Sequence, residues 1–292
     1  MKKILLALWV GLVGLVGFVL SVGCLAAEPA PDVHRFGCIK DKAEGWIFGR
    51  DKHYSAPRLA APLPAAVDLR TNMPPVYYQG ALGSCTANAI AAAWDFEHHL
   101  QGNSFITPSR LFIYYNERKI EGTIQQDAGA QIRDGLITVT KDGVCRELIW
   151  PYNISAFTLR PIYLCYQQAL KEQVLQSQRV TQDLVTMKTV LATGHPIVIG
   201  FSVYASFETD AVTKTGLVPI PKPGEQLLGG HAVVVVGYSD ALKMPGAKDS
   251  GAFLVRNSWG KSWGLQGHCW MAYEYLTNKK MAHDFWAILK VE

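Results

Sequence analysis

The sequence predicts an α+β fold with a helix-rich first half and a strand-rich second half. Between residues 86 and 192, apolar side chains recur every three or four positions, which is typical of helices. From residue 196 onward, short runs of β-branched and aromatic residues alternate with glycine and proline, which is typical of strands and their connections. Because helices and strands fall in separate runs, we expect segregated layers, with a helical half at about 63–194 and a strand-rich half at about 195–292.

Local signals set the bounds of the individual elements. Thr107 and Pro108 form an N-cap followed by proline at the first helical position, which opens a helix. Gly194 closes the last helix of the first half. The expected helices are Thr86–His98, Thr107–Arg118, Ala130–Lys141, Tyr163–Gln173 and Thr181–Ala192, and the expected strands are Pro196–Tyr204, His231–Tyr238, Ala252–Val255, Cys269–Tyr275 and Phe285–Val291.

The first residues are typical of a secretion signal. Two lysines follow the initial methionine, residues 4–20 are apolar, and Ala26 and Ala27 offer a cleavage site. We therefore expect a signal peptide over 1–27 and a secreted product, periplasmic or extracellular, with no stable membrane association after cleavage. The alternatives are a retained membrane anchor, since the apolar stretch is near the lower length limit of a span, and a lipoprotein attached through Cys24.

Composition and charge exclude some classes of partner. The chain has 292 residues, of which 49% are hydrophobic and 18% charged, so it can bury a globular core. Its 28 basic and 24 acidic residues give a net charge of +4, which falls to +2 when the two lysines of the signal leave. Because no stripe of lysine and arginine is visible, a nucleic-acid partner is not expected.

The stretch Gln79–Asn88 carries the most informative motif, a cysteine at the start of an amphipathic helix. The positive end of a helix and its free N–H groups favour the thiolate, which is the reactive form of Cys85. Gly83, two residues earlier, lets the backbone approach a substrate closely. By itself this motif fits a nucleophile or a small buried core cysteine equally well.

Two further segments favour the nucleophile. His231 stands at the entry to an apolar strand, and Asn257 comes directly after another strand, close to Trp259. His231 follows Cys85 by 146 residues (231 − 85), and Asn257 follows His231 by 26 (257 − 231). This order and spacing are those of a catalytic cysteine, its histidine base and the asparagine that orients the base.

From Leu63 to the C-terminus the chain resembles the papain-like cysteine peptidases, and Leu63–Arg70 resembles the start of their mature form. The resemblance implies a helical domain and a β-barrel-like domain that meet at an active-site cleft. The catalytic residues it implies are Cys85, His231, Asn257 and Gln79, and the substrate-binding residues are Gly83, Ser84, Gly129, Gly230 and Trp259.

The resemblance also implies a role for each residue of the catalytic set. The side-chain N–H of Gln79 and the backbone N–H of Cys85 would stabilise the oxygen of the tetrahedral intermediate. Asn257 would accept a hydrogen bond from the imidazole of His231 and hold it in position, as aspartate does in serine triads. Trp259 would shield that hydrogen bond and line the leaving-group side of the cleft.

The chain departs from the family's pattern in ways that indicate a divergent, bacterial-type branch. Leu82 stands where many members carry a cysteine three residues before the nucleophile, and Thr86 replaces the usual aromatic residue after it. The cysteine-rich glycine loop is also missing, and we expect Asp127–Ala130 to replace it, with Gly129 accepting the substrate strand. Asp284, before the last strand, is a candidate for the acidic base of a specificity pocket.

Residues 28–62 are predicted to be a short prosegment in front of a peptidase domain at 63–292. The segment carries aromatic anchors, among them Phe36, Trp46 and Phe48, in a stretch too short to bury them alone. We expect it to lie across the cleft as an intramolecular inhibitor. The alternative is a structural arm that packs on the surface and stays attached.

The sequence therefore predicts a secreted cysteine endopeptidase that is made as a zymogen and hydrolyses peptide bonds through a thioester acyl-enzyme. Its expected partners are a protein or peptide substrate and its own prosegment. A monomer is expected, and the chemistry needs neither a metal nor an organic cofactor. The alternatives are a catalytically inactive binding protein on the same fold, and a transpeptidase or peptidoglycan-directed peptidase.

Four cysteines remain after the signal and the nucleophile are set aside, namely Cys38, Cys145, Cys165 and Cys269. An even number in an exported protein predicts disulfides, and four cysteines allow three pairings. Free buried thiols are the alternative. A zinc site is not expected, because the sequence has no closely spaced cysteine or histidine pairs of the required kind.

Overall fold

The computed structural model describes residues 34–41, 52–55 and 62–292. The predicted signal peptide and the remaining parts of the predicted prosegment lie outside the described residues. Within the described residues, no helix is both long enough and apolar enough to span a membrane.

Seven α-helices occur in the described part of the chain, and local chemistry explains their ends. The hydroxyl of Ser109 accepts a hydrogen bond from the backbone N–H of Phe112, which caps the second helix. Gly122, with a φ of 74°, ends the same helix in the left-handed conformation. The helices are α1 (Cys85–Leu100), α2 (Arg110–Glu121), α3 (Ile132–Lys141), α4 (Tyr163–Ala169), α5 (Leu184–Ala192), α6 (Asp210–Thr215) and α7 (Tyr273–Thr277).

One eight-stranded sheet forms the second layer among the described residues. Its strands are β1 (Ala66–Asp68), β2 (Val174–Arg179), β3 (Ile197–Tyr204), β4 (Leu217–Val218), β5 (Leu227–Lys243), β6 (Ser250–Arg256), β7 (His268–Ala272) and β8 (Ala282–Val291). The order is β2-β8-β3-β5-β6-β7-β4, and β1 pairs with β5. All pairs are antiparallel except β4 with β7. Helices and sheet together confirm the predicted α+β class.

The long strand β5 divides the protein's core into two main clusters. Because successive side chains of a strand point to opposite faces, Val234 and Val236 join the cluster beneath the helical half, which also contains Trp94 of α1. Val233 and Val235 join the cluster on the other face, which includes side chains of α5. The first helix packs against β5 and β8, so the start of α1 lies beside the centre of the sheet.

The structure corrects several predicted elements. The predicted helix start at Thr107 is wrong, because Ser109 caps α2 and Thr107 has a φ of 48°. The predicted strand Cys269–Tyr275 ends at Ala272, where α7 takes over. Strand β2 was not predicted because only one of its six residues is fully buried, which leaves no clear alternation to detect.

The described cysteines are all buried free thiols: Cys38, Cys85, Cys145, Cys165 and Cys269. None of the three predicted pairings is therefore present as a formed disulfide among the described residues. The burial itself matches the alternative expectation of small apolar core residues.

Candidate active site

Three adjacent elements bring the predicted catalytic residues together. Cys85 is the first residue of α1, and His231 lies on β5 opposite Phe201 of β3. Asn257 comes directly after β6, the other neighbour of β5. Because α1 packs on β5, the helix start, the histidine strand and the asparagine turn meet at one place. Residues far apart in the sequence therefore share one site.

A hydrogen bond of 2.8 Å joins His231 Nε2 to Asn257 Oδ1. The same oxygen accepts the backbone N–H of Ser258 at 2.8 Å, which fixes the orientation of the amide. Since a carbonyl oxygen only accepts, Nε2 carries the proton. In the neutral imidazole, Nδ1 then has the free lone pair, and this buried atom has no hydrogen-bond partner. The histidine is therefore in the tautomer that can accept a proton through Nδ1.

Aromatic rings enclose the histidine. The ring of Trp259 lies 5.1 Å from that of His231, and Phe201 and Phe36 approach it edge-on at 5.8 and 6.1 Å. This burial lowers the pKa of His231 to about 4, with a smaller contribution from nearby His34, while the bond to Asn257 opposes the shift. The imidazole is therefore neutral in this form of the protein.

Cys85 is equally enclosed. Its sulfur accepts backbone N–H groups from Ala232, Gly37 and Thr86, but burial outweighs these bonds and raises the pKa of the thiol to about 11. Because Ala232 directly follows His231, the sulfur lies beside the histidine. In this covered site the pair is favoured as neutral thiol and neutral imidazole, not as an ion pair.

Gln79, the predicted oxyanion donor, is buried and bonded to residues on both sides of it. Its side-chain amide donates to the backbone carbonyls of Leu82 at 2.9 Å and Arg35 at 3.1 Å. Its own carbonyl oxygen accepts the hydroxyl of Ser258 at 2.6 Å. Ser258 thus fixes which way the amide points, a role that the sequence analysis missed, although the residue stands next to the predicted Asn257.

A second supporting residue missed from the sequence is Tyr152. Its hydroxyl donates to the backbone carbonyl of Gln79 at 2.9 Å and lies 2.5 Å from the hydroxyl of Ser84. The guanidinium of Arg110 stacks on its ring at 4.0 Å and pairs with Glu147 at 2.7 Å. The sequence holds no local signal for these contacts, because they join residues that are 37 to 73 positions apart.

Residues 34–41 run through the site as a segment that pairs with residues on both sides of it. Ala130 donates its N–H to the carbonyl of Gly37 at 2.8 Å, and Ile39 donates to the carbonyl of Ala130 at 2.9 Å. On the opposite side, Cys38 donates to the carbonyl of Gly230 at 2.9 Å. The ring of His34 stacks on Trp259 at 3.7 Å. The segment is therefore held between the helical half and β5.

The five predicted substrate-binding residues divide into two groups. Gly83, Gly129, Gly230 and Trp259 contact residues 34–41, and a Cβ atom at Gly129 or Gly230 would overlap a carbonyl oxygen of that segment. The hydroxyl of Ser84 bonds instead to Tyr152 and to the side chain of Asn88. The structure thus brings four of the five to the segment that fills the site.

Asp41 anchors the end of the segment 34–41 by its charge. Its nearly buried carboxylate binds Arg133 of α3 at 2.9 Å and Arg179 of β2 at 2.7 Å. Its backbone N–H donates to Asp284 at 2.9 Å, which gives that predicted pocket residue a structural contact. Arg179 also binds residues 52–55. Its backbone N–H donates to the carbonyl of Lys52, and its carbonyl accepts the N–H of Tyr54.

Comparison with known proteins places this geometry in a family. The family model described as papain family cysteine protease matches residues 63–287. An uncharacterised peptidase C1-like protein of Acanthamoeba polyphaga mimivirus is 45% identical over 222 residues, which cover 73% of this chain and 69% of that protein.

Solved structures agree. Xylellain, a cysteine protease from Xylella fastidiosa, is 42% identical, with a TM-score of 0.79 over 88% of this chain and 96% of that chain. ProCathepsin B S9 from Trypanosoma congolense is 18% identical and shares the fold, with a TM-score of 0.70 over 88% and 87% of the two chains. The family model spans well over half of the sequence and includes the whole predicted catalytic set. The chain therefore belongs to the papain family of cysteine proteases.

Proposed function

We propose that the chain is a secreted cysteine endopeptidase made as a latent precursor, in which residues 28–62 are an inhibitory prosegment. One observation carries the proposal: the side-chain amide of Gln79 is bonded to the carbonyl of Arg35. A substrate needs that amide for the oxygen of its tetrahedral intermediate. A segment that already accepts a hydrogen bond from this amide must leave before a substrate can react.

In the proposed active form, His231 Nδ1 takes the proton of Cys85 and the thiolate attacks a peptide carbonyl carbon. The carbonyl oxygen becomes an oxyanion, which the Gln79 amide and the Cys85 backbone N–H stabilise. His231 then gives its proton to the leaving amine, and a thioester remains. Water, deprotonated by the same histidine, hydrolyses the thioester and restores the thiol.

The geometry at Gly37 accounts for the survival of the covering segment. The backbone N–H of Gly37 is close enough to the sulfur of Cys85 to lower the pKa of its thiol. A peptide group is planar, so a sulfur that receives this N–H lies near the plane of the Phe36–Gly37 bond. Attack on a carbonyl carbon requires approach out of that plane. The sulfur of Cys85 therefore faces the N–H group of this peptide bond and not its carbonyl carbon.

The test compares the full-length chain with a chain that begins at Leu63, both assayed with the same fluorogenic peptides. We expect strong hydrolysis only from the shorter chain, and none from the shorter chain with Cys85→Ala. Mass spectrometry must confirm an intact N-terminus in the full-length sample. Equal activity of both forms would reject the inhibitory role and leave a structural arm.

The same assay separates the rival functions. An inactive binding protein gives no turnover in either form and no labelling of Cys85 by a thiol-reactive epoxide. A transpeptidase gives ligated products, which differ from hydrolysis products in mass. The proposed export is tested separately by the N-terminal sequence of protein recovered outside the cytoplasm, which should begin near residue 28.

A further inference from the structure

Cys145 and Cys165 lie side by side in a small apolar cluster of the helical half. Both are fully buried, together with Phe112 and Ala169. The two thiols share this one four-residue cluster of buried side chains, and each thiol shifts the pKa of the other. The other non-catalytic cysteines of the described chain, Cys38 and Cys269, lie in two different core clusters.

We propose that Cys145 and Cys165 form a disulfide when the chain folds in the presence of a thiol–disulfide oxidant, while Cys38 and Cys269 remain thiols. This selects one pairing among the four cysteines on the basis of contact. The proposal is independent of the inhibitory role of residues 28–62, since the cluster of Cys145 and Cys165 contains none of the described residues 34–41.

The reaction is ordinary thiol–disulfide exchange. The thiolate of one cysteine attacks a sulfur of the oxidant, such as oxidised glutathione, and one glutathione thiolate leaves. The second cysteine attacks the protein sulfur of this mixed disulfide and releases the second glutathione. Two electrons pass from the cysteine pair to the oxidant, and the two cysteine protons end on the released thiolates.

Burial sets the time at which this reaction occurs. It raises the pKa of both Cys145 and Cys165 above the ordinary thiol value, so the finished fold holds few thiolates in this cluster. Exchange therefore takes place while the cluster is still open during folding. After closure, the same burial keeps reductants away from the bond.

The crosslink would close a loop that supports the active site. The loop contains Glu147, which pairs with Arg110, and Tyr152, on which Arg110 stacks. Tyr152 in turn donates to the backbone of Gln79. A bond at the base of this loop restricts the unfolded chain most, and thereby stabilises the folded support of the oxyanion donor.

The test uses the full chain with Cys85→Ala, which removes self-cleavage and the competing reactive thiol. The protein is refolded from denaturant in a mixture of reduced and oxidised glutathione, then unfolded and alkylated without reduction. Trypsin cuts after Lys141, Arg146 and Lys171, and Arg160 is protected by the following proline. Mass spectrometry should therefore find peptide 142–146 joined to peptide 147–171, with Cys38 and Cys269 alkylated.

A second measurement covers the case in which single variants fold poorly. Parent refolded with reduced glutathione alone should melt about 5–10 °C below parent refolded under oxidant, as expected from the loop entropy and the protein's size. Cys145→Ala and Cys165→Ala should abolish this difference, and the matched buried control Cys269→Ala should keep it. Alkylation of both Cys145 and Cys165 in protein folded under oxidant, or a bond from either to another cysteine, would overturn the proposal.

Discussion

The side-chain amide of Gln79 lies 3.1 Å from the backbone carbonyl oxygen of Arg35 and donates a hydrogen bond to it. The donor expected to stabilise a reaction intermediate is thus engaged by the chain's own N-terminal segment. In the proposed precursor, substrate and segment compete for this one side-chain amide. The strength of latency then depends on contacts that hold the segment elsewhere, and these can be changed without touching the catalytic residues.

Asp41→Asn should weaken latency. The substitution removes the charge that binds Arg133 and Arg179, and loss of one partner of a buried charge pair typically costs about 2–5 kcal/mol. We expect full-length Asp41→Asn to hydrolyse peptides at least about tenfold faster than the full-length parent. Asp68→Asn is the matched control, since Asp68 pairs with Arg70 on the exposed surface. If full-length Asp41→Asn has unchanged activity, the charge of Asp41 does not contribute to latency.

Gly37→Ala should also raise the activity of the full-length chain. A Cβ atom at this residue would overlap the backbone carbonyl of Gly83, so the segment must lift away from the sulfur. Arg35→Ala is the control within the same segment, because Arg35 is exposed and its contact with Gln79 uses only its backbone. The two variants are compared by peptide hydrolysis and by the rate of epoxide labelling of Cys85. Equal rates for both would show that close packing at Gly37 is not needed.

Ser258→Ala should lower kcat of the chain beginning at Leu63 by about tenfold and leave KM nearly unchanged. Its hydroxyl fixes the Gln79 amide through a 2.6 Å bond, and a misdirected amide loses part of the 10²–10³-fold effect that one oxyanion donor typically supplies. In a Gln79→Ala background the same substitution should add nothing, because the two residues act as one unit. Additive losses would mean that the Ser258 hydroxyl acts by a route other than the orientation of Gln79, since the backbone N–H bond from Ser258 to Asn257 is kept when the residue is alanine.

The covered site should show its own pH dependence. Because burial raises the pKa of Cys85 to about 11 and lowers that of His231 to about 4, thiol and imidazole are both neutral between these values. The thiolate then appears only as the pH rises towards 11. Alkylation of Cys85 in the full-length chain, followed by mass spectrometry from pH 6 to 10, should rise about tenfold per unit.

The chain beginning at Leu63 is the comparison for that experiment. Without Phe36 and Gly37 over the site, less burial opposes the charged forms, and the thiolate–imidazolium pair becomes accessible. Its alkylation should already be fast near neutral pH, and its hydrolysis rate should follow a bell. Identical alkylation profiles for both chains would contradict a role of the segment in the titration of Cys85.

The candidate catalytic set was predicted from the sequence because the expected chemistry has local sequence signals. Cys85 stands at a helix start and Asn257 just after a strand, while His231, predicted at a strand entry, is the fifth residue of β5, and the order of the three is informative by itself. The hydrogen bond between His231 and Asn257 agrees with that prediction. Helices and strands with strong apolar periodicity were predicted for the same reason, since the signal lies within a few residues.

The residues that the sequence did not reveal act over long range. Asp41 meets Arg133 and Arg179 only after folding brings α3 and β2 to the same edge. Tyr152 reaches Gln79 across 73 positions. The strands β2 and β4 were also not predicted from the sequence, because pairing within the sheet, and not a pattern of their own residues, makes them strands.

The backbone of Gly37 packs directly against the backbones of Gly83 and Gly129, and this close packing has a consequence for inhibitor chemistry. At this point residues 34–41 fit only because Gly37 carries no side chain, since a Cβ atom there would overlap the carbonyl of Gly83. A small molecule that copies residues 36–38 would need an aromatic group, then an achiral unsubstituted spacer, then a compact group. Such a scaffold would need no reactive group. Its selectivity would come from the close packing at Gly83 and Gly129.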